Sequence, residues 1–107
     1  MGINKSYFSA DYSNARSRFR EMAKRAGGLL ETLPLTAKGP NGEDLAIDIA
    51  WFGASNPERV LLHSSGLHGV EGFAGSAIQL QLLDSLPSIP PNAALVIAHI
   101  LNPYGMA

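Results

Sequence analysis

Apolar residues recur near the start of the chain at the three- and four-residue spacing of an α-helix. Ser9 is a suitable N-cap before this segment, and Gly27-Gly28 is a typical helix stop after it. The pattern predicts a helix from about Asp11 to Ala26. Its packing face is expected to consist of Tyr12, Ala15, Phe19, Met22, Ala23 and Ala26.

Two shorter segments with alternating apolar residues follow and predict an antiparallel β-hairpin. The first, residues 29–35, contains Pro34, which favours an edge strand because proline has no N–H to donate. An Asn-Gly pair at residues 41–42 is a strong turn signal between the two segments. The second segment, residues 45–52, places four apolar side chains on one face: Leu45, Ile47, Ile49 and Trp51.

The second half of the chain predicts a strand, a glycine-rich loop, a helix and a second strand. Residues 60–64 and 93–100 are compact apolar runs, typical of interior strands covered on both faces. A helix is expected from about Phe73 to Leu86, where Pro87 ends it, with an inner side made of Ala74, Ala77, Ile78, Leu82 and Leu86. The predicted fold class is therefore α/β, with a mixed sheet that contains the hairpin and one right-handed βαβ unit.

Composition limits the class of protein. The 107 residues, 46 % of them hydrophobic, suit a single globular domain over residues 1–107. A net charge of −1 argues against a strongly basic nucleic-acid binder, and no apolar run reaches the ~18 residues of a membrane helix. The absence of cysteine excludes a disulfide scaffold and a thiol nucleophile. Met1–Tyr7 has no apolar stretch of a secretory signal, so a cytoplasmic protein is expected.

Charge is unevenly distributed along the chain. Residues 1–25 contain six basic and two acidic side chains, whereas the remaining 82 residues contain two basic and seven acidic ones. This basic segment coincides with the first predicted helix. It is either a solvated helix face or a surface that attracts an anionic substrate or partner.

The loop after the first interior strand contains the most informative chemistry. His68 and Glu71 are three positions apart in the segment Gly66-Leu67-His68-Gly69-Val70-Glu71-Gly72. In open α/β sheets, ligands bind beyond the carboxyl ends of the strands, so a site is expected in loops 65–72 and 101–106. Zinc accepts imidazole nitrogen and carboxylate oxygen. The spacing alone leaves two interpretations open, a metal site or a helix-capping Glu71 beside a surface histidine.

Two motifs give the chain a family resemblance. The segment Gly66–Phe73 resembles the zinc motif of the carboxypeptidase A-like metallopeptidase superfamily, and Asn102-Pro103-Tyr104-Gly105 resembles a stretch after a later strand of those enzymes. That superfamily includes the succinylglutamate desuccinylase and aspartoacylase branch. With Tyr7–Tyr12 and Ser64–Gly72, the chain is most similar to an uncharacterised bacterial family of predicted carboxypeptidases or domains of unknown function.

The resemblance implies a partial three-layer α/β/α domain with one zinc ion bound by His68 and Glu71. The substrate of full-length relatives would be a small peptide or an N-acyl amino acid. The family's third ligand, its general-base glutamate and an Asn-Arg pair for the substrate carboxylate all lie downstream and have no counterpart in this sequence. A truncated enzyme with little or no hydrolytic activity of its own is therefore expected, and its status as an enzyme stays open.

Four other residues are candidates near this site. Asn102 and Tyr104 are candidate substrate contacts, although Asn-Pro is also typical of turns. His99, near the end of the second interior strand, is a candidate compensating ligand of the metal or a candidate hydrogen-bond partner of its ligands. His63 lies within the first interior strand and is expected to be a hydrogen-bonded core histidine.

Three further interpretations belong to other functional classes. Ser64 and Ser65 suggest a serine hydrolase, although the Gly-x-Ser-x-Gly nucleophile elbow is missing. A dinucleotide site is disfavoured because Leu67 stands where the first glycine would be. Alternatively, the chain is a non-catalytic assembly or binding module. An unpaired apolar strand near residues 59–65 would favour a homo-oligomer formed through the exposed sheet edge.

Overall fold

The computed structural model describes residues 5–107, and its elements follow the order that the sequence predicts. Residues 1–4, which belong to the segment considered for a secretory signal, lie outside the described residues. Within residues 5–107, no helix has the length and apolarity needed to cross a membrane. A 3₁₀ turn at Lys5–Tyr7 precedes the main elements, which are α1 (Tyr12–Arg25), β1 (Leu29–Lys38), β2 (Asp44–Gly53), β3 (Arg59–Ser64), α2 (Gly72–Asp84), β4 (Ala93–His99) and α3 (Pro103–Met106).

Helix α1 begins one residue later than expected and has a different N-cap. Asp11, not Ser9, is the capping residue, because its carboxylate accepts a hydrogen bond of 2.7 Å from the backbone N–H of Asn14. Ser9 instead accepts a hydrogen bond from Arg18. The predicted stop is confirmed: Gly27 has a φ of +90°, a conformation that glycine adopts without strain.

The sheet is mixed and has the strand order β1-β2-β4-β3. Strands β1 and β2 form the predicted antiparallel hairpin, and β1 is an edge strand, as Pro34 indicates. Strand β4 is antiparallel to β2 and parallel to β3, so the β3-α2-β4 unit has the parallel pairing of a βαβ motif. The predicted α/β class with a mixed sheet is confirmed.

Strand β3 corrects the expectation of an interior strand. In the described part of the chain it pairs only with β4 and forms the second edge of the sheet. Val60, Leu61 and Leu62 are 54 %, 68 % and 62 % exposed. An apolar run is typical of a strand covered on both faces, but coverage requires neighbouring elements that residues 5–107 do not supply.

Both long helices pack on one face of the sheet. Phe19 and Ala23 of α1 and Leu80 and Leu83 of α2 contact sheet residues in one core cluster, whose remaining members are Ala50, Phe52, Leu95 and Ile97. The chain thus supplies the sheet and one helical layer of the expected sandwich. No described helix of comparable length covers the opposite face, where Leu29, Leu33, Val60 and Leu62 are exposed.

The helices cover the face of β2 that alternation alone does not single out. Asp48, Ala50 and Phe52 lie on the helical side, whereas Ile49 and Trp51 alternate onto the opposite side and are half-buried. Alternation correctly groups Ile47, Ile49 and Trp51, but Leu45, expected with them, is fully buried in a cluster with Tyr12 and Ala15 of α1. It does not determine which face the helices cover, since both faces are largely apolar.

The inner side of α2 also differs from the prediction. Ala74 and Ile78 are exposed, and the buried positions include two polar residues, Ser76 and Gln79. Both polar side chains are buried because each has hydrogen-bond partners in the sheet. A stripe defined by hydrophobicity alone therefore misses part of the packing face.

Candidate functional site

The loops that follow the two parallel strands lie side by side at the carboxyl edge of the sheet. The backbone N–H of Leu101 donates to Ser65 O at 2.9 Å, and that of Asn102 donates to Gly66 O at 2.7 Å. Gly66 has a φ of +70°. A Cβ there would lie 2.9 Å from the Ile100 side chain, so the approach requires glycine. The predicted convergence of loops 65–72 and 101–106 is confirmed.

Asn102 connects the two loops through its side chain. Its amide group donates to His68 O at 2.6 Å, and its side-chain oxygen accepts from Gly105 N at 3.0 Å, capping the short helix α3. A Cβ on Gly105 would lie 2.3 Å from His68 O, so only glycine fits there. Asn102, predicted as a substrate contact, is in this structure a residue that positions the peptide of His68.

His68 and Glu71 lie together on the surface of the first loop. Their Nδ1 and Oε1 atoms are 3.4 Å apart, and the side chains are 83 % and 51 % exposed. The Glu71 carboxylate also accepts backbone hydrogen bonds from His68 at 2.7 Å and from Gly69 at 2.9 and 3.0 Å. The loop therefore fixes the carboxylate and leaves the imidazole accessible.

The backbone of this loop makes Glu71 a stronger acid. Hydrogen bonds from its own N–H and from those of His68 and Gly69 lower the pKa of the Glu71 carboxyl, and partial desolvation opposes them only in part. The carboxylate is therefore anionic at neutral pH, as a metal ligand must be. Glu71 is the residue before α2, but its side chain does not cap that helix. Its carboxylate instead accepts hydrogen bonds from the backbone of the loop.

His68 and Glu71 are two donors, and a closed zinc site has four. Among residues 5–107, no group of three or more histidine, cysteine, aspartate or glutamate side chains is arranged to hold a metal ion. Tyr104, the second predicted substrate contact, is 64 % exposed in the adjacent loop. It therefore lies on the accessible surface of the same edge.

His99 is buried in the core between the two helices. Its Nε2 lies 2.8 Å from Ser76 Oγ, its ring stacks on Phe19 with centroids 4.6 Å apart, and it is 0 % exposed. Desolvation lowers the pKa of His99 to about 4, against an opposing effect of Asp48. The imidazole is therefore neutral at pH 7, and its described partners belong to the core, not to the loop of His68.

Buried Gln79 links α2 to the ends of the parallel strands. Its amide nitrogen lies 3.2 Å from His63 Nδ1 and donates to Ala98 O at 3.0 Å, while its oxygen accepts from Ser65 Oγ at 2.9 Å. This network agrees with the expectation of a hydrogen-bonded His63. In the same network the Ser65 hydroxyl donates to Gln79 and forms no hydrogen bond with a described histidine. The network therefore does not favour a serine nucleophile.

A comparison with protein families identifies the chain. Residues 8–107 match the family described as "Protein of unknown function (DUF2817)". The chain belongs to the DUF2817 family. No curated protein matched this DUF2817 chain.

Solved structures share the fold of the DUF2817 chain at low sequence identity. Glutaminyl cyclases from Macrostomum lignano and Fimbriiglobus ruber match 86 % and 85 % of the chain, with TM-scores of 0.62 and 0.59 and identities of 15 % and 11 %. A Zn-dependent exopeptidase from Parabacteroides distasonis matches 99 % of it, with a TM-score of 0.52 and 15 % identity. The chain covers 32 %, 37 % and 49 % of these three structures, respectively. The fold is therefore that of part of a zinc-peptidase-like domain.

Two residues of this region do not stand out in the hydrophobicity pattern of the DUF2817 chain. A glutamine between apolar positions, such as Gln79, is typical of a surface residue. Gly105 fits a turn, although its contact with His68 O requires glycine. Outside this region, Asp48 is an isolated carboxylate in an apolar strand, and this is the sequence signal for its buried ion-pair cluster with Arg16 and Arg20.

Proposed function

We propose that His68 and Glu71 bind a zinc ion and are the first two ligands of an amide-hydrolysing site of the carboxypeptidase type, related to the succinylglutamate desuccinylase and aspartoacylase branch. The observation that carries the proposal is the pair of accessible donors, 3.4 Å apart, in the loop that follows β3. The substrate class of the complete site would be a small peptide or an N-acyl amino acid. The Parabacteroides distasonis neighbour is a Zn-dependent exopeptidase, which supports the same chemistry.

The donor geometry fits zinc. Ligands at about 2.0–2.2 Å in a tetrahedral shell are separated from one another by about 3.3–3.6 Å. The Nδ1–Oε1 distance of 3.4 Å between His68 and Glu71 falls in this range. The backbone hydrogen bonds of the Glu71 carboxylate would orient it for binding, as hydrogen bonds to ligating carboxylates do in metal sites.

Each loop residue has a distinct role in this proposal. Bound zinc would polarise a scissile carbonyl and lower the pKa of an attacking water. Asn102 holds the His68 peptide in place and fixes the second loop. Tyr104 offers an exposed hydroxyl for a substrate contact. No described group of three possible ligands includes the pair, so a third ligand would have to come from outside the described residues. The resemblance implies that the general base lies there as well.

We expect zinc to bind the purified 107-residue chain weakly and to depend on both side chains. His68→Ala and Glu71→Gln should each reduce zinc affinity by at least about 10-fold, because even residues that only hydrogen-bond a metal ligand cost about 10–100-fold when they are replaced. Affinity would be measured by competition with a chromophoric chelator.

Glu58→Gln is the matched control, since Glu58 is an exposed glutamate outside the loop. Unchanged zinc affinity in both the His68 and Glu71 variants would contradict the assignment of these two residues as zinc ligands. The zinc-loaded chain alone is expected to show no turnover of acylated amino acids or short peptides. Sustained turnover that the His68 variant retains would contradict the proposal.

The open edge of β3 supports a second proposal, a homodimer. The outer side of β3 has no described strand partner, and its three leucine and valine side chains are more than half exposed. Such an edge offers backbone donors and acceptors to another strand. A second copy fits because two-fold pairing of β3 with itself would extend the sheet and continue its uncovered apolar face.

Analytical ultracentrifugation over a range of protein concentrations tests this dimer. We expect self-association that Leu62→Lys weakens by about 10-fold or more, since a lysine on an edge strand disfavours pairing with another strand. Leu29→Lys is the matched control on the opposite edge, where the native side chain is 73 % exposed. A strict monomer at high concentration, or equal effects of the two variants, would contradict pairing through β3.

A further inference from the structure

The solvent side of α1 borders an open groove of about 510 Å³, which we call the α1 groove. Five of its lining residues carry hydroxyl or cationic groups and recur at helical spacing: Ser13, Arg16, Ser17, Arg20 and Lys24. None of its lining residues belongs to loops 65–72 or 101–106. The groove is thus separate from the proposed metal site, and it lies in the segment where basic residues are concentrated.

A buried carboxylate fixes the two arginines of the α1 groove. Asp48 is 0 % exposed and accepts from Arg16 Nε at 2.7 Å and from Arg20 Nη1 at 2.9 Å. Its Oδ1 atom also accepts from Arg16 Nη2 at 3.3 Å, so both guanidinium groups donate to the same oxygen and lie side by side. The arginines are therefore held in place before any ligand binds.

Both arginines retain unused donors. Arg16 Nη1 and the Nε and Nη2 groups of Arg20 donate to no acceptor within residues 5–107. The two side chains are 24 % and 33 % exposed, so part of each guanidinium reaches the solvent of the groove. Lys24, farther along the same helix face, forms no ion pair with a described residue.

The net charge of the α1 groove is positive when the lining residues are counted together with their ion-pair partners. Two acidic residues also line it, but Glu21 is paired with Arg25 and Asp44 with Lys38. The single charge of Asp48 is shared between two arginines. Arg16 and Arg20 thus keep one positive charge beyond Asp48, and Lys24 adds another. The groove therefore attracts anions although the chain as a whole carries a net charge of −1.

We propose that the α1 groove binds the phosphate group of a small molecule. Guanidinium groups bind phosphate through paired N–H donors, and lysine adds a point charge. The hydroxyls of Ser13 and Ser17 supply neutral donors on the same helix face. The volume of the groove, about 510 Å³, is within the range of small-molecule sites and exceeds the space that an isolated phosphate ion needs.

The test is a titration of the full 107-residue chain with inorganic phosphate, followed by NMR at constant ionic strength. We expect saturable shifts of the Arg16 and Arg20 Nε–H signals and of the backbone amides of Ser13 and Ser17. Sodium chloride at the same ionic strength should leave these signals in place, because screening is nonspecific. A parallel titration with glycerol phosphate compares a phosphate ester with the free phosphate ion. Saturable binding supports a phosphate site, whichever of the two ligands binds more tightly.

Two variants locate the site without disturbing the Asp48 cluster. Lys24→Ala should weaken phosphate binding by about 3-fold, and Ser17→Glu should weaken it by about 10-fold or more through charge repulsion. Arg59→Ala is the matched control, since it removes one exposed cationic residue at a distant strand. Equal affinities of Lys24→Ala, Ser17→Glu and the wild type would overturn the proposal. Tighter saturable binding of succinate than of either phosphate would overturn the ligand class.

Discussion

Replacing Asp48 by alanine is expected to destabilise the folded protein by about 3–5 kcal/mol, the usual cost of removing one partner from a buried ion pair. Asp48 is fully buried in β2 and accepts hydrogen bonds from Arg16, Arg20 and Thr32. Desolvation raises the pKa of its carboxyl, but hydrogen bonds from Arg16 and Thr32 and the nearby positive charge outweigh this and lower it. The variant would leave two guanidinium groups facing each other without their anion.

Urea unfolding at neutral pH measures this loss. Asp48→Asn keeps the size of the side chain but places an amide where the arginines need an anion, so it should lose most of the same stability. Asp44→Ala is the matched control, because Asp44 is exposed and paired with Lys38 on the surface. If Asp48→Ala were no more destabilising than Asp44→Ala, the cluster would not be a main support of the α1–sheet packing.

Acidification from neutral pH to about pH 4 is expected to remove up to about 3 kcal/mol of stability through His99. Burial lowers the pKa of His99 from an ordinary value of 6.5 to about 4. Between these values the unfolded chain binds a proton that the folded chain does not. The stabilising contribution is therefore complete above about pH 6.5 and is lost as the pH falls toward 4.

Asp48 acts in a lower pH window. The pKa of its carboxyl lies below the ordinary value of 3.8 in the folded protein, so its contribution is present above that value and is lost at more acidic pH. A loss of stability between about pH 6.5 and 4 is therefore assigned to His99 and not to the ion-pair cluster.

Urea unfolding at several pH values between about 7 and 4 tests this assignment, with His99→Gln as the comparison. Glutamine is similar in size, can hydrogen-bond Ser76 and does not titrate. We expect the variant to be less stable at pH 7, since it loses the stacking on Phe19, but to depend less on pH. A parallel pH dependence of the two proteins would show that His99 is not the group responsible.

Much of the local structure could be predicted from short-range patterns. The period of apolar residues in α1, the glycines after it and Pro34 in β1 were sufficient to locate the first helix and the edge strand. These features act through atoms only a few residues apart, such as helix-terminal backbone groups and a missing N–H. The position of the candidate site was also predictable, because loops after neighbouring parallel strands meet at one sheet edge.

Other features could not be predicted because they depend on residues distant in sequence. The sequence predicts Ser9 as the N-cap, but in the folded chain Arg18 donates to the Ser9 hydroxyl and Asp11 caps the helix. Ser76 and Gln79 are buried because His99 and Ala98 lie opposite them. Hydrophobicity along one helix contains no information about such partners.

Local sequence patterns are sufficient for the α/β class, the order of the elements and the placement of His68 and Glu71 in one loop. The folded chain is needed to show which face of β2 the helices cover and that Asp48 binds two arginines of α1. The difference lies in the sequence distance over which each feature is determined. Helix periods, turns and stops are properties of neighbouring residues, whereas burial and ion pairing depend on which segments meet in the folded chain.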